Sequence, residues 1–129
     1  MAELSIAIAD DNRQTLKLLG EILEKEEWIH VVGQADNGED AYRMIVRTNP
    51  EIVLMDVIMP RLDGISVMEK VKNNTQMKNS PSFIMVTAAS SQDVTEDAFR
   101  LGANYYIMKP FNREVILDKI RRVSKSRLK

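Results

Sequence analysis

Residues 52–64 read IVLMDVIMPRLDG and decide the fold of this chain. The four apolar residues at the start are typical of a strand that is buried on both faces, as in a parallel sheet covered by helices. Asp56 follows this strand directly, and Pro60 and Gly64 then turn the chain into the next helix. Open α/β sheets bind ligands at the carboxyl ends of their strands. The stretch therefore predicts an α/β sheet with a functional carboxylate at its edge.

Three other short apolar runs also end in polar or charged residues. Because the carboxyl ends of parallel strands meet at one edge of a sheet, we expect these side chains to lie close to Asp56. The predicted edge then holds three carboxylates, one hydroxyl and one ammonium. The residues are Asp10 and Asp11 after 6–9, Thr87 after 83–86, and Lys109 after 105–108.

The segments between these strands have apolar residues at helical spacing behind polar starter residues. With a second strand at 28–32, strand and helix alternate five times along the chain. Right-handed crossovers and helices on both faces predict a doubly wound, flavodoxin-like α/β fold, with five parallel strands in the order 2-1-3-4-5 and five helices. This order places the first and third strands side by side, so that Asp10 and Asp11 meet Asp56.

Composition limits the possible classes of protein. A chain of 129 residues with 44% hydrophobic content fits one domain, which we expect over 1–124, followed by a basic tail at 125–129. We expect this tail to begin a linker to a DNA-binding domain that the chain lacks. The absence of Cys excludes disulfides and thiolate metal sites, and a net charge of −1 argues against coating nucleic acid. No apolar run is long enough to cross a bilayer, so we expect a cytoplasmic protein without a membrane partner.

Three neighbouring carboxylates repel one another unless a cation joins them. Ligands that are all oxygen suit Mg²⁺, and they leave Mn²⁺ or Ca²⁺ open. We expect Asp11 and Asp56 to bind the ion directly, Asp10 to bind it through water, and the Ile58 backbone carbonyl to complete the protein ligands. Such a site also favours binding of a phosphoryl group, because the ion, the Lys109 ammonium and the Thr87 hydroxyl would each contact one phosphoryl oxygen. Asp56 is then the nucleophile that forms an acyl phosphate.

The chain carries the motifs Asp10-Asp11, Asp56 with Met59-Pro60 and Asp63-Gly64, Thr87-Ala88, Tyr106, and Lys109-Pro110-Phe111. In this combination they resemble the receiver domains of two-component response regulators, and the resemblance covers essentially the whole sequence. Within that family, 9–13, 59–64 and 102–111 resemble most closely the receivers of the stage-zero sporulation transcription regulators of endospore-forming bacteria.

The resemblance implies that Asp56 takes a phosphoryl group from a histidine on a kinase or phosphotransferase, using Mg²⁺. It also implies a cis bond before Pro110 that aims Lys109 into the site. In the implied switch, the Thr87 hydroxyl moves to the phosphoryl group and the Tyr106 ring turns inward; the alternative for Tyr106 is an ordinary half-buried strand aromatic. The residues implied in partner docking are Asn12, Gln14, Leu18, Pro110 and Phe111.

We therefore expect a signalling switch, with DNA bound only through the absent domain, and not a turnover enzyme. It would catalyse only its own phosphoryl transfer and slow dephosphorylation. A single-domain phosphorelay carrier is the first alternative. A metal-dependent aspartyl phosphohydrolase is weaker, because Ile58 occupies the position where such an enzyme needs a general acid. We also expect phosphorylation to favour a homodimer through the fourth helix, fifth strand and fifth helix, which pairs the acids Asp93, Glu96 and Asp97 with the bases Lys119, Arg121 and Arg122.

Overall fold

The computed structural model describes residues 3–127. Within this range, strands and helices alternate five times, as the sequence predicts. The strands are β1 (Leu4–Ala9), β2 (Ile29–Ala35), β3 (Ile52–Met55), β4 (Ser82–Thr87) and β5 (Ala103–Met108). The helices are α1 (Arg13–Glu24), α2 (Gly38–Thr48), α3 (Gly64–Lys72), α4 (Gln92–Arg100) and α5 (Arg113–Arg127).

All strand pairs are parallel, and the order in the sheet is β2-β1-β3-β4-β5. This confirms the predicted flavodoxin-like topology. Backbone hydrogen bonds continue the pairing just past the strand ends: the Asp56 N–H donates to the Ala9 carbonyl at 3.1 Å, and the Lys109 N–H donates to the Thr87 carbonyl at 2.9 Å. The functional ends of neighbouring strands are therefore held in register.

The core lies in two layers, one on each face of the sheet. Strand β3 contributes to both, since Ile52 and Leu54 pack against α1 and α5, whereas Val53 and Met55 pack against α2, α3 and α4. None of these four side chains is more than 1% exposed. Burying a side chain of this size stabilises a fold by about 1.5–3 kcal/mol. The central strand is therefore held rigidly on both faces, and so is the residue that follows it.

Local sequence determines where the helices begin and end. The side chains of Asn12, Asn37 and Asn112 accept N–H bonds at the starts of α1, α2 and α5. Asn49 ends α2 in the left-handed region, with φ of 47°, and Gly102 follows α4 with φ of 110°. A residue with positive φ at these ends stops a helix from continuing.

Several boundaries differ from those predicted: β1 and β5 each begin two residues earlier, at Leu4 and Ala103, and β4 spans Ser82–Thr87. Strand β2 runs to Ala35 instead of residue 32, because its pairing with β1 continues to the end of that strand. Helix α5 continues past the predicted domain boundary at 124, and Arg127 donates to the Ser80 carbonyl at 3.0 Å and to Ser82 Oγ at 2.9 Å. Residues 125–127 are thus helical; the rest of the predicted tail lies outside the described residues. Among the described helices, none has the length and apolar character needed to span a bilayer.

Candidate functional site

Three carboxylates meet at the carboxyl edge of the sheet, as the strand order predicts. Asp10 and Asp56 are 1% and 6% exposed, whereas Asp11 is exposed to solvent. Each of the three offers an oxygen within 4.8 Å of the others. A set of carboxylate ligands at this separation fits a hard divalent cation, and Mg²⁺ is one such ion.

The Lys109 ammonium lies between the two buried carboxylates. It donates to Asp10 Oδ2 at 2.7 Å and to Asp56 Oδ2 at 2.8 Å, and its side chain is 21% exposed. The Lys109–Pro110 peptide bond is cis, as the family resemblance implied. Lys109 therefore neutralises part of the charge at the site.

The pKa values of Asp10 and Lys109 reflect the competition between burial and the hydrogen bonds of the cluster. Burial raises the pKa of Asp10, and the hydrogen bonds from Lys109 and the Asn12 N–H only partly offset it. Burial also opposes charge on Lys109, but its hydrogen bonds to Asp10 and Asp56 outweigh this effect and raise its pKa. Lys109 thus stays charged, while two buried carboxylates share it. The remaining negative charge favours a second cation.

Asp56 is oriented by three donors. Its Oδ2 accepts from Lys109, and its Oδ1 accepts the Ile58 N–H at 3.0 Å and the Thr87 hydroxyl at 2.5 Å. Thr87 is fully buried at the end of β4. The Thr87 hydroxyl, which the sequence predicts to contact a phosphoryl group on Asp56, therefore contacts the Asp56 carboxylate itself.

A chain of hydrogen bonds links Asp56 to Tyr106. The Ala89 N–H donates to Thr87 Oγ1 at 3.2 Å, and the Tyr106 hydroxyl donates to the Ala89 carbonyl at 2.6 Å. Tyr106 is half-buried, burial raises its pKa, and its ring lies 6.2 Å from that of Phe99. A change at Asp56 is thus connected through one loop residue to the side chain predicted to switch.

Three of the five predicted docking residues line one groove. Leu18, Pro110 and Phe111 lie there beside Thr15 and Lys109, and Leu18 is 46% exposed. Gln14 is exposed on the first turn of α1 but does not line this groove. Asn12 caps α1 by accepting the Thr15 N–H at 3.0 Å, so it has a structural role whether or not it also contacts a partner.

Gly64, which the sequence predicts to begin the third helix and which is part of the Asp63-Gly64 motif, also shapes the site. A Cβ at Gly64 would lie 2.1 Å from the Asp56 carbonyl oxygen, and its N–H donates to the Val57 carbonyl at 2.7 Å. Only glycine lets the start of α3 approach the backbone of Asp56 so closely. A glycine directly after the Asp63 cap was the available signal.

Residues 6–121 match the response regulator receiver domain family, and this chain belongs to that family. Its fold is similar to the signal receiver domain of the response regulator NarL from Mycobacterium tuberculosis, with a TM-score of 0.88, 22% identity, and coverage of 97% of this chain and 98% of that one. It is also similar to the CheX–CheY–BeF₃–Mg²⁺ complex from Borrelia burgdorferi, with a TM-score of 0.83, 27% identity, and coverage of 95% of this chain and 90% of that one. For a CheY-like receiver domain protein from Methanospirillum hungatei, the TM-score is 0.84 and the identity 26%, with 96% of each chain covered.

Proposed function

We propose that Asp56 accepts a phosphoryl group from a histidine of a kinase or phosphotransferase. An Asp56 oxygen attacks phosphorus, the P–N bond breaks, and its electron pair returns to the imidazole. The observation that carries this proposal is that Lys109, Thr87 and the Ile58 N–H all converge on the Asp56 carboxylate. Lys109 and Thr87 are then placed to contact phosphoryl oxygens.

We assign Mg²⁺ to Asp11 and Asp56, with Asp10 and the Ile58 carbonyl in support. The ion neutralises charge on the transferring group. This assignment is supported by the carboxylate oxygens within 4.8 Å of one another, and by the Mg²⁺ named for the Borrelia burgdorferi complex. The direct test is incubation with acetyl phosphate and Mg²⁺, which should add one phosphoryl mass; no added mass would contradict the proposal. Parallel experiments with Mn²⁺ or Ca²⁺ test the choice of ion.

We propose that phosphorylation controls transcription through a DNA-binding domain outside this chain. The process that we propose is sporulation, and the proposed location is the cytoplasm. The support for this proposal is the resemblance of 9–13, 59–64 and 102–111 to sporulation regulators. A single-domain phosphorelay carrier is the second candidate, and the length of the full gene separates the two. Turnover of a small phosphate ester would instead favour a phosphohydrolase.

Asp11→Asn tests the metal assignment. The hydrogen bonds and ion pairs found among residues 3–127 include none to the Asp11 side chain, so its removal should not unfold the protein. We expect Mg²⁺ affinity to fall at least about tenfold, while the melting temperature in EDTA stays equal or rises because carboxylate repulsion is relieved. Titration calorimetry and melting curves measure both. Retained affinity with a less stable apo protein would indicate a capping role instead.

Ile58→Asn tests the proposed slow loss of the phosphoryl group. The Ile58 side chain is 61% exposed and carries no group able to orient an attacking water. We expect an amide there to shorten the phosphoryl lifetime several-fold. Decay of the phosphorylated mass with time measures it, with Ile58→Leu as the matched control. Equal lifetimes in the two variants would contradict this explanation.

The face formed by α4, β5 and α5 supports the proposed dimer. Phe99, Met108 and Val115 are 47%, 41% and 37% exposed on these three elements. Lys119 lies over the Tyr105 ring of β5 at 5.1 Å, whereas the Arg121 guanidinium lies 5.6 Å from the centre of the Trp28 ring. Trp28 packs in the layer of α1, so Arg121 is directed toward that layer, and its predicted place on the dimer face stays a prediction.

Charge reversal tests the predicted pairing of the bases of α5 with the acids of α4. We expect Lys119→Glu with Arg122→Glu to weaken dimerisation of the phosphorylated protein at least tenfold, because these bases would face the acids of α4 in a two-fold related copy. Arg121→Glu should weaken it as well, and Lys17→Glu, an exposed change of the same kind on α1, is the control that should leave it unchanged. Sedimentation at increasing salt is the measurement. A phosphorylated protein that stays monomeric at tens of micromolar would rule out the dimer.

A further inference from the structure

The first turn of α2 holds the loop that connects β3 to α3. The Gly38 N–H donates to the Pro60 carbonyl at 3.1 Å, and the Leu62 N–H donates to the same oxygen at 2.8 Å. Next to this contact, Glu39 Oε2 lies 3.8 Å from the Arg61 guanidinium. The Pro60 carbonyl therefore joins the turn of the loop between β3 and α3 to the start of α2.

The contact requires residue 38 to have no side chain. A Cβ on Gly38 would lie 1.8 Å from the Leu62 carbonyl oxygen and 2.6 Å from Leu62 Cβ. The nearest obstacle is backbone, so a side chain could be accommodated only if the loop or the helix moved. Gly38 is itself buried in helical conformation, so the close approach explains the glycine without any need for positive φ.

The loop itself is strained. Arg61 has φ of 72°, and the hydrogen bond from the Leu62 N–H to the Pro60 carbonyl closes a three-residue turn around it. A γ-turn with positive φ at its centre is rare, and a residue with a Cβ in that region costs about 1–2 kcal/mol. External contacts must stabilise such a turn, and the hydrogen bond from the Gly38 N–H to the Pro60 carbonyl is one of them.

We propose that Gly38 is a positioning residue for the metal site. The Pro60–Leu62 turn docks on α2, and this fixes Ile58 two residues earlier, whose N–H already bonds Asp56 at 3.0 Å. Docking thereby holds the Ile58 carbonyl where the cation would meet it. The inference rests on the proposed Mg²⁺ site.

Gly38→Ala and Gly20→Ala form a matched pair. At Gly20, in α1, a Cβ would meet its nearest atom, Gln34 Nε2, at an ordinary 3.5 Å. We expect Gly38→Ala to weaken Mg²⁺ binding by roughly tenfold, as is typical when residues supporting metal ligands are changed, and Gly20→Ala to leave it unchanged. Titration calorimetry measures the affinity. In EDTA, amides 57–63 should exchange faster in Gly38→Ala than in wild type, beyond any change in global stability.

Wild-type protein provides a second test should Gly38→Ala fail to fold. Because coupling between two sites is reciprocal, Mg²⁺ should slow exchange of the Gly38 amide. Unchanged Mg²⁺ affinity in folded Gly38→Ala, or a Gly38 amide indifferent to Mg²⁺, would overturn the inference and leave the proposed function standing. Absence of Mg²⁺ binding by wild type would overturn both.

Discussion

Asp56→Asn is expected to abolish phosphoryl incorporation completely. The amide keeps the size of the side chain and can still accept from Thr87 and the Ile58 N–H, but it is no longer a nucleophile. After incubation with Mg²⁺ and acetyl phosphate, intact mass should show the phosphoryl increment in wild type and none in the variant. Asp118→Asn, a partly exposed change of the same chemistry on α5, is the control and should be modified like wild type.

The result is decisive because Asp56 is the carboxylate on which three donors converge. Asp10 also accepts from Lys109, yet its Oδ1 is committed to the Asn12 N–H and its side chain is only 1% exposed. Asp11 is exposed but is not bonded to Lys109. A phosphoryl mass on Asp56→Asn from a histidine donor would therefore move the acceptor to another residue and refute the assignment.

The sequence was sufficient to predict the sheet and the residues at its edge. An apolar run such as 52–55 leaves few alternatives to a strand buried on both faces, and the order of parallel strands then brings Asp10 next to Asp56. The bonds between side chains were not predictable. The contact between Thr87 and Asp56 depends on side-chain conformations that only the packed core determines.

Long-range contacts account for the other differences. Gly38 matters because of the Leu62 carbonyl, and helix α5 is tied at Arg127 to Ser80 and Ser82. Arg121 is turned toward Trp28 by a contact between elements far apart in sequence. Periodicity along one helix carries no information about such partners, so a local pattern gives the face that a residue occupies only approximately.

Lys109→Met is expected to produce the largest loss of stability. The change keeps the length of the side chain but leaves Asp10 and Asp56, 1% and 6% exposed, without their shared ammonium. Removing one partner of a buried pair costs about 3–5 kcal/mol, and we expect about 3 because the Lys109 side chain is 21% exposed. Urea unfolding at pH 7 in EDTA measures the loss. The exposed Lys17→Met is the control and should change stability little.

The pH dependence identifies the cause. In wild type the pKa of Lys109 is raised above 10.5, so its stabilising contribution is complete below that value and is lost as the pH rises through the shifted pKa. In Lys109→Met this alkaline loss should disappear. The pKa of Asp10, already raised by burial, should rise further without the ammonium. The folded variant then holds protons that the unfolded chain releases. The loss of unfolding free energy relative to wild type should therefore shrink as the pH falls from 7 toward 3.8. Excess Mg²⁺ should also reduce this loss. A stability loss that stays constant from pH 4 to 8 and does not change with Mg²⁺ would mean that Lys109 stabilises the site by packing, and not by its charge.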